Sequence, residues 1–343
     1  MKLLALTDYK GRFGSKHFDH PYRSGMDKEK LQAAFRTYGV ELFFMPMSSV
    51  WQKITRETKF FIYTSSEDGG YLYKSYLEDI VFGLAQKGYV PIPGIAHLRA
   101  NNNKGMMEFL RQATGDERIN TINTQFFGTI EELKNEMPAF SYPVVIKKAA
   151  GASGRGVYKA SNPEELLKAA QLVSSSKSLL LDLKDWLRSK RHKGYQLDSR
   201  FRNKFITQNF IPDLKNDWKV YWFNGELYVF YRPIFAHRDF IASGGGYDNY
   251  VYGEEAYKPE GFFEFVTHVM SFFQVPHASM DIAFDGKQFH LLEIQFVYFG
   301  TAGIPYSKGY YKRVNDAWEF VHDKREIEEV YAKSVATFLK NEV

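Results

Sequence analysis

A short apolar strand that runs directly into a glycine-rich turn constrains this chain more than any other feature. Residues 143–157 have the sequence PVVIKKAAGASGRGV, with Lys147 and Lys148 at the end of the strand. Consecutive strand residues point to opposite faces, so only one lysine can face a ligand. Glycine lets the backbone approach a phosphate, and an adjacent lysine adds a cation. The segment predicts a phosphate-binding loop or a plain tight turn, which also needs glycine.

Three familiar nucleotide-binding patterns do not match these residues. The P-loop ending in Gly-Lys-Ser or Gly-Lys-Thr is absent. A dinucleotide site needs G-x-G-x-x-G opening a helix, whereas these glycines run G-x-x-G-x-G and a strand follows. His237-Arg-Asp239 is similar to one kinase motif, but kinases place the glycine loop before the lysine strand, and the later Asp-Phe-Gly is missing.

A second chemical pattern lies near the end of the chain, at residues 279–295, SMDIAFDGKQFHLLEIQ. The Asp285-Gly286 pair predicts a turn that folds this segment into a hairpin. Asp281 can then lie beside Glu293, and Gln295 shares the face of Glu293. Three oxygen donors suit Mg²⁺, which takes oxygen ligands and bridges to phosphates. An exposed polar strand face explains the hairpin equally well.

The order of elements predicts an α/β protein with an α+β C-terminal part. From residue 1 to about 100, strands alternate with helical stretches, which is typical of a parallel sheet with crossover helices. Asn101–Asn103 can cap a helix that begins near Lys104, which indicates a boundary. Hairpin signals at Asn224-Gly225 and Asp285-Gly286 predict a largely antiparallel last segment. The predicted domains are 1–100, 101–205 and 206–343.

Composition limits the function further. The chain has 343 residues and no cysteine, which excludes a disulfide framework, a thiolate metal site and a cysteine nucleophile. The net charge of +5 favours anionic partners, and a nucleotide would suffice. No apolar run approaches the roughly 18 residues of a membrane helix, and no secretory signal is evident. We therefore expect a cytoplasmic protein without a membrane partner.

Taken in order, the strand lysine with its glycine-rich loop, a hinge segment and a hairpin ending in Glu293-Ile-Gln295 resemble the ATP-grasp superfamily. The resemblance spans about residues 95–310. It implies a parallel N-terminal α/β domain, a small β-rich lid and an antiparallel C-terminal part. The implied activity joins a carboxylate to an amine or a related nucleophile through an acyl phosphate, releasing ADP and phosphate. The implied cofactors are ATP and Mg²⁺, with Mn²⁺ as an alternative.

The resemblance also implies roles for individual residues. The implied phosphate-binding residues are Lys104, Lys147 and the loop residues Gly151, Ser153, Gly154 and Gly156. The implied adenine residues are Gln208, Asn209, Phe210 and Ile211, and the implied ribose acid is Asp217, with Asp213 as second choice. The implied metal ligands are Asp281, Glu293 and Gln295, and the implied catalytic cations are Lys219 and Arg232.

Two departures from the family pattern leave the substrate open. Gln295 replaces the usual Asn, so its amide oxygen has a longer reach. Members that ligate amino acids to peptides carry Arg and Asn where this chain has Ile241 and Ser243. We expect nucleotide binding to survive both changes.

Three functions stay open on the sequence alone. We expect a ligase for a small-molecule carboxylate and amine. The alternatives are a small-molecule kinase of the same fold and a non-catalytic nucleotide- or RNA-binding module that uses residues 177–204. That segment has nine Lys or Arg against three Asp or Glu, which is also typical of a solvated helix face. Nucleic acid is the less favoured partner, and the oligomeric state is open, with a homodimer compatible.

Overall fold

The computed structural model describes residues 1–16, 24–66, 68–151, 154–235, 240–244 and 246–342. Ser153 of the glycine-rich loop and the segment 237–239 lie outside the described residues. The chain divides into two compact units. One comprises Met1–Asn101 and Leu214–Val343, and the other comprises Asn102–Asp213.

The fold combines helices with one parallel sheet and two antiparallel sheets, which confirms the predicted α/β class. The strands are β1 Lys2–Thr7, β2 Glu41–Pro46, β3 Phe60–Tyr63, β4 Val90–Ile92, β5 Thr124–Phe127, β6 Val144–Lys148, β7 Val157–Ala160, β8 Phe205–Asn209, β9 Asn216–Phe223, β10 Glu226–Pro233, β11 Val251–Tyr252, β12 His277–Phe284, β13 Phe289–Gln295, β14 Tyr310–Val314 and β15 Ala317–Val321. The α-helices are α1 Lys28–Thr37, α2 Met47–Lys53, α3 Leu72–Gln86, α4 Ile95–Ala100, α5 Lys104–Gln112, α6 Ile130–Glu136, α7 Pro163–Ser174, α8 Leu179–Arg191, α9 Phe262–Ser271 and α10 Ile327–Glu342.

The parallel sheet of the first unit has the strand order β2-β1-β3-β4. Strands of such a sheet are buried on both faces, so they are apolar throughout rather than alternating. The residues of β1 from Leu3 to Leu6 and those of β3 from Phe61 to Tyr63 are accordingly buried. α1 begins after Asp27, whose carboxylate accepts the amides of Glu29 and Lys30.

The antiparallel sheet of the same unit has the order β13-β12-β9-β10-β14-β15, with β11 paired to β10. Both predicted hairpin turns are present. Asn224 and Gly225 have φ values of +47° and +92°, the left-handed conformation that a two-residue turn requires. Asp285 accepts the amides of Lys287 and Gln288 at 2.8 and 2.9 Å, which closes the second turn.

The two faces of this sheet differ in what covers them. α9 lies over one face, where Phe262 packs against Trp218 with ring centroids 5.5 Å apart. The other face is apolar at Phe223 and Tyr228, which share a buried core with residues of α10. Further along the strands this second face becomes polar, and the candidate site lies there.

The second unit contains an antiparallel sheet with the order β5-β8-β6-β7. α6 and α7 cover one face, with Ile146 and Phe205 in the shared core. α7 begins with Asn162 and Pro163, and the Asn162 side chain accepts the amide of Glu165 at 3.0 Å. The opposite face is the one on which Lys147 lies.

Candidate functional site

The polar end of the first unit's antiparallel sheet gathers five predicted site residues. The register pairs Asp281 with Lys219 on one side and with Glu293 on the other, and it pairs Arg232 with Asp217. Residues directly opposite one another, and alternate residues of one strand, share a face of a sheet. The five side chains therefore lie on the same face.

A β-bulge makes the pairing of the two acids possible. Regular pairing runs from the turn to Ile282, and the register shifts between Ile282 and Asp281. Continued without the shift, it would place Leu292 opposite Asp281 and Glu293 opposite Met280. Since Met280 is on the apolar face, the Glu293 carboxylate would then point away from Asp281. The extra residue in β13 is thus what brings the two carboxylates together.

Two cations hold the Asp281 carboxylate. Lys219 Nζ lies 2.8 Å from one oxygen, and Arg232 Nη2 lies 2.9 Å from the other. Arg232 also donates from Nε and Nη2 to the two oxygens of Asp217, each at 2.6 Å. The Arg232 side chain is only 4% exposed, so these charge-assisted bonds form where water screens them little.

These ion pairs fix the charge state of the cluster. Burial acts to raise the pKa of Asp281, but the charges of Arg232 and Lys219 outweigh it and hold the pKa well below its ordinary value. Burial acts to lower the pKa of Arg232, and the carboxylates of Asp217 and Asp281 raise it instead. For Asp217, burial raises the pKa, and Arg232 opposes the rise. Asp281 and Arg232 are therefore charged at physiological pH.

The oxygen donors on this face suit a divalent cation. Glu293 carries a carboxylate and Gln295, opposite Ser279 in the register, an amide oxygen. Each Asp281 oxygen already bonds Lys219 or Arg232 and keeps a second lone pair for a metal. Hard donors of this kind fit Mg²⁺, which keeps further positions for water and phosphate oxygens. Within the ranges that the structure describes, no three His, Asp or Glu side chains converge to hold a metal by themselves.

In the second unit, the register assigns the two adjacent lysines to different faces. Lys147 pairs with Ile206 of β8, and it shares its face with Val145 and Gln208. Lys148 is on the other face, at the end of the strand, and is exposed. Lys147 is therefore the lysine on the face opposite the apolar core.

The glycine-rich loop begins next to both predicted phosphate lysines. Lys104 Nζ donates to the carbonyl oxygen of Gly151 at 3.1 Å. Lys147 is the last residue on its face of β6, just before the loop. Gly151, Gly154 and Gly156 have φ values of +141°, +72° and +75°. Other residues rarely adopt these conformations, which explains the glycines at these positions.

A buried polar network that the sequence analysis missed lies under Gln208. Gln208 Nε2 donates to Glu108 Oε1 and to Thr124 Oγ1, each at 3.0 Å. Arg111 Nε donates to Glu108 Oε2 at 2.9 Å, and its amino groups reach backbone carbonyls. Arg111 and Glu108 are wholly buried. The amide nitrogen of Gln208 therefore bonds inside the protein. The only sequence signal for this network is the three-residue spacing of Glu108 and Arg111, which places them on one face of a helix.

Of the residues after Gln208, Phe210 contacts a second cation, Lys159, on the Lys147 face. Asn209 Oδ1 accepts a backbone N–H at 2.7 Å, and Phe210 and Ile211 are half-buried. Lys159 Nζ lies 4.2 Å from the centroid of the Phe210 ring. The register of β7 places Lys159 on the same face as Lys147. The sequence does not single out Lys159, because its face depends on a strand pairing that the sequence does not specify.

The two candidate ribose acids have different environments. Asp217 is buried, and both of its oxygens bond Arg232. Asp213 is exposed and has a φ of +58° in the turn after β8. A hydroxyl of a ligand needs an accessible carboxylate, so this geometry favours Asp213 for such a role and gives Asp217 the task of holding Arg232.

No protein-family model matches the sequence, and no curated protein is similar enough to match it. Solved structures do match over nearly the whole chain. A D-cycloserine synthetase aligns with a TM-score of 0.58 and 12% identity, over 99% of this chain and 100% of that one. A RimK-domain ATP-grasp protein from Sphaerobacter thermophilus aligns with a TM-score of 0.53 and 12% identity, over 98% and 99%. A RiPP-associated ATP-grasp ligase from Chryseobacterium gregarium, solved with ADP and a leader and core peptide, aligns with a TM-score of 0.53 and 13% identity, over 100% and 97%.

The TM-scores of 0.53–0.58 establish the fold, whereas identities of 12–13% do not establish the activity. All three structures match nearly end to end, so the likeness extends to both units of the chain. The chain therefore has the ATP-grasp fold, as the lysine strand, the glycine-rich loop and the acidic hairpin of its sequence predict.

Proposed function

We propose that this protein is an ATP- and Mg²⁺-dependent ligase that joins a carboxylate to an amine or a related nucleophile. The observation that carries the proposal is the pairing of Asp281 with Glu293 by a bulge, directly beside the cations Lys219 and Arg232. A strand interruption that costs regular pairing and aligns two carboxylates is typical of a functional site. In an ATP-grasp fold, that site would serve the phosphates of ATP.

The second unit would bind the rest of the nucleotide. Lys147 and Lys104 would contact phosphate oxygens, together with amides of the glycine-rich loop. Phe210 and Ile211 would contact adenine, and Asp213 the ribose. Gln208 and Asn209 would support these contacts without side-chain bonds to the base, since their side chains already bond within the unit.

The acidic cluster would serve the transferred phosphoryl group. Asp281, Glu293 and Gln295 would hold Mg²⁺, which when bound neutralises phosphate charge. Lys219 is more exposed than Arg232, at 17% against 4%. Lys219 would therefore contact the transferred phosphoryl group, whereas Arg232 would be a positioning residue that orients Asp281.

The proposed reaction has two steps. A carboxylate oxygen attacks the γ-phosphorus, the bond from phosphorus to the bridging oxygen breaks, and ADP leaves with the electron pair. The amine then attacks the acyl carbon, the bond from that carbon to the phosphate oxygen breaks, and inorganic phosphate leaves while the amine releases a proton. The protein needs no side-chain nucleophile, because its task is to hold and neutralise anionic groups.

The test is a screen of the purified chain with ATP, Mg²⁺ and pools of carboxylates and amines. A ligase forms ADP and free phosphate in equal amounts, only when both pools are present, and mass spectrometry finds the condensed product. ADP without free phosphate, with a product one phosphoryl group heavier, would identify a kinase instead. ATP binding without ADP formation in any pool would contradict both.

A further inference from the structure

Helix α8 of the second unit presents its apolar side to solvent. Successive helical residues are about 100° apart, which places its Trp and four of its Leu residues on one arc of about 120° that also includes Lys190. The residues of this apolar arc are 46–92% exposed: Leu179, Leu180, Leu183, Trp186 and Leu187. The buried residue of the helix is Asp185, on the opposite side. Surface helices normally turn such an arc toward the core, so α8 has the reverse orientation.

Polar contacts fix this orientation. Asp185 accepts the hydroxyl of Tyr195 at 2.5 Å and the backbone amide of Asp198 at 2.9 Å. Asp182, on the same side of the helix, forms an ion pair with Arg200 at 3.7 Å. The acidic side of α8 therefore contacts the rest of its own unit, and these contacts orient the apolar arc toward solvent.

The surface around the apolar arc is cationic. The acids of the segment 177–204 are already engaged, since Asp198 also pairs with Arg202 at 2.8 Å. Four cations on or next to α8 form no ion pair with any residue that the structure describes: Lys184, Lys190, Arg191 and Lys193. The occupant of this surface must therefore accept apolar side chains and also carry negative charge.

A lipid bilayer with anionic headgroups meets both conditions best. A second copy of the chain would bring the same cations against each other. A nucleic acid would pair with the cations and leave five large apolar side chains in water. A protein would need a groove shaped to this convex helix, whereas acyl chains accept protruding Leu and Trp side chains without shape complementarity.

We propose that α8 is a membrane-surface anchor, with its apolar arc among the acyl chains and its cations near anionic lipid headgroups. Trp186 is suited to that boundary, since indole combines an apolar ring with a polar N–H. None of the helices within the described residues is long and apolar enough to cross a bilayer, so the association is with one surface. Spanning segments and secretory signals, on which the expectation of no membrane partner rests, do not bear on a surface helix.

Vesicle co-sedimentation tests the proposal, with vesicles of phosphatidylcholine alone or with about one third phosphatidylglycerol. The wild type should bind the anionic vesicles, and less at raised salt. Leu183→Ser/Leu187→Ser should weaken binding at least about tenfold, because two exposed anchors lose their apolar surface. Leu172→Ser is the matched control, an exposed leucine on α7, and should bind like the wild type. Equal thermal unfolding midpoints show that every variant is folded.

Three outcomes would overturn the proposal. The first is that the wild type does not bind anionic vesicles. The second is that the double variant binds them as tightly as the wild type does. The third is that the wild type is a dimer in analytical ultracentrifugation whereas the double variant is a monomer. That result would make α8 an interface between copies of the chain. The assay contains no ATP and no substrate, so its failure is distinct from a failure of the ligase proposal.

Discussion

Strand geometry gives the adjacent residues Lys147 and Lys148 different expected roles in ATP binding. Lys147 lies on the face with Gln208, and Lys148 is exposed on the other. We predict that Lys147→Ala raises the dissociation constant for ATP at least about tenfold, because a phosphate contact is lost in a partly desolvated setting. Lys148→Ala is the control and should change it less than about twofold. Isothermal titration measures both, and equal losses in the two variants would contradict the assignment.

Glu293 is the acid whose role depends most on the bulge. Once a substrate pair is found, Glu293→Ala should lower kcat at least about a hundredfold, because a charge aligned with the phosphates is lost. Glu319→Ala is the matched control, an exposed acid on β15, and should retain wild-type turnover. Circular dichroism checks that both variants fold. Near-normal turnover in Glu293→Ala would remove this carboxylate from the mechanism.

Among the secondary-structure elements, the sequence predicts the strands that local residue patterns mark. Phe60–Tyr63, Val157–Ala160 and Phe289–Gln295 are strands, and apolar runs with flanking turn residues mark them in the sequence. The bulge in β13 could not be predicted, since no residue there differs from an ordinary strand residue. The outward face of α8 was also missed, because an apolar arc by itself indicates a buried side.

The turn that ends the glycine-rich loop gives a prediction at this scale. A Cβ at Gly156 would lie 3.0 Å from the Cβ of Lys148, whereas one at Gly115, also at positive φ, would contact nothing within 4 Å. Gly156→Ala and Gly115→Ala should each lose about 1–2 kcal/mol of unfolding free energy from the left-handed backbone. Only Gly156→Ala should also weaken ATP binding, by about tenfold, because the loop must shift. Urea unfolding and titration measure the two effects, and equal ATP affinity in both variants would contradict a phosphate-binding loop.

At the scale of the whole molecule, the order of motifs predicted the fold better than any single motif did. The lysine strand, the hinge segment and the acidic hairpin each fit more than one fold. Their order along the chain is that of the ATP-grasp fold, which the similarity to solved structures confirms. The unit that joins residues 1–101 with 214–343 was not predicted, because local periodicity holds no information about contacts between distant segments. The three predicted domains stay a prediction.

Buried histidines in that unit should make its stability depend on pH. Burial lowers the pKa of His277 to about 3 and that of His97 to about 4. Below about pH 6.5 the unfolded chain takes up protons that the folded chain does not, so stability is full above that pH and falls toward pH 4, by about 1.4 kcal/mol per pH unit for each histidine. His277→Phe should reduce the slope by that amount in urea unfolding between about pH 6.5 and 4.5. An unchanged slope would show that His277 does not contribute.

The ligase proposal requires that Lys147 and the Asp281–Glu293 pair contact the same ATP molecule. The most direct test is a crystal structure of the chain with Mg²⁺ and a non-hydrolysable ATP analogue. We predict phosphate oxygens of the analogue within hydrogen-bond distance of Lys147 Nζ, and a metal ion that joins the same phosphates to Asp281 and Glu293. An analogue bound away from Lys147, or phosphates with no metal link to those two carboxylates, would contradict the account.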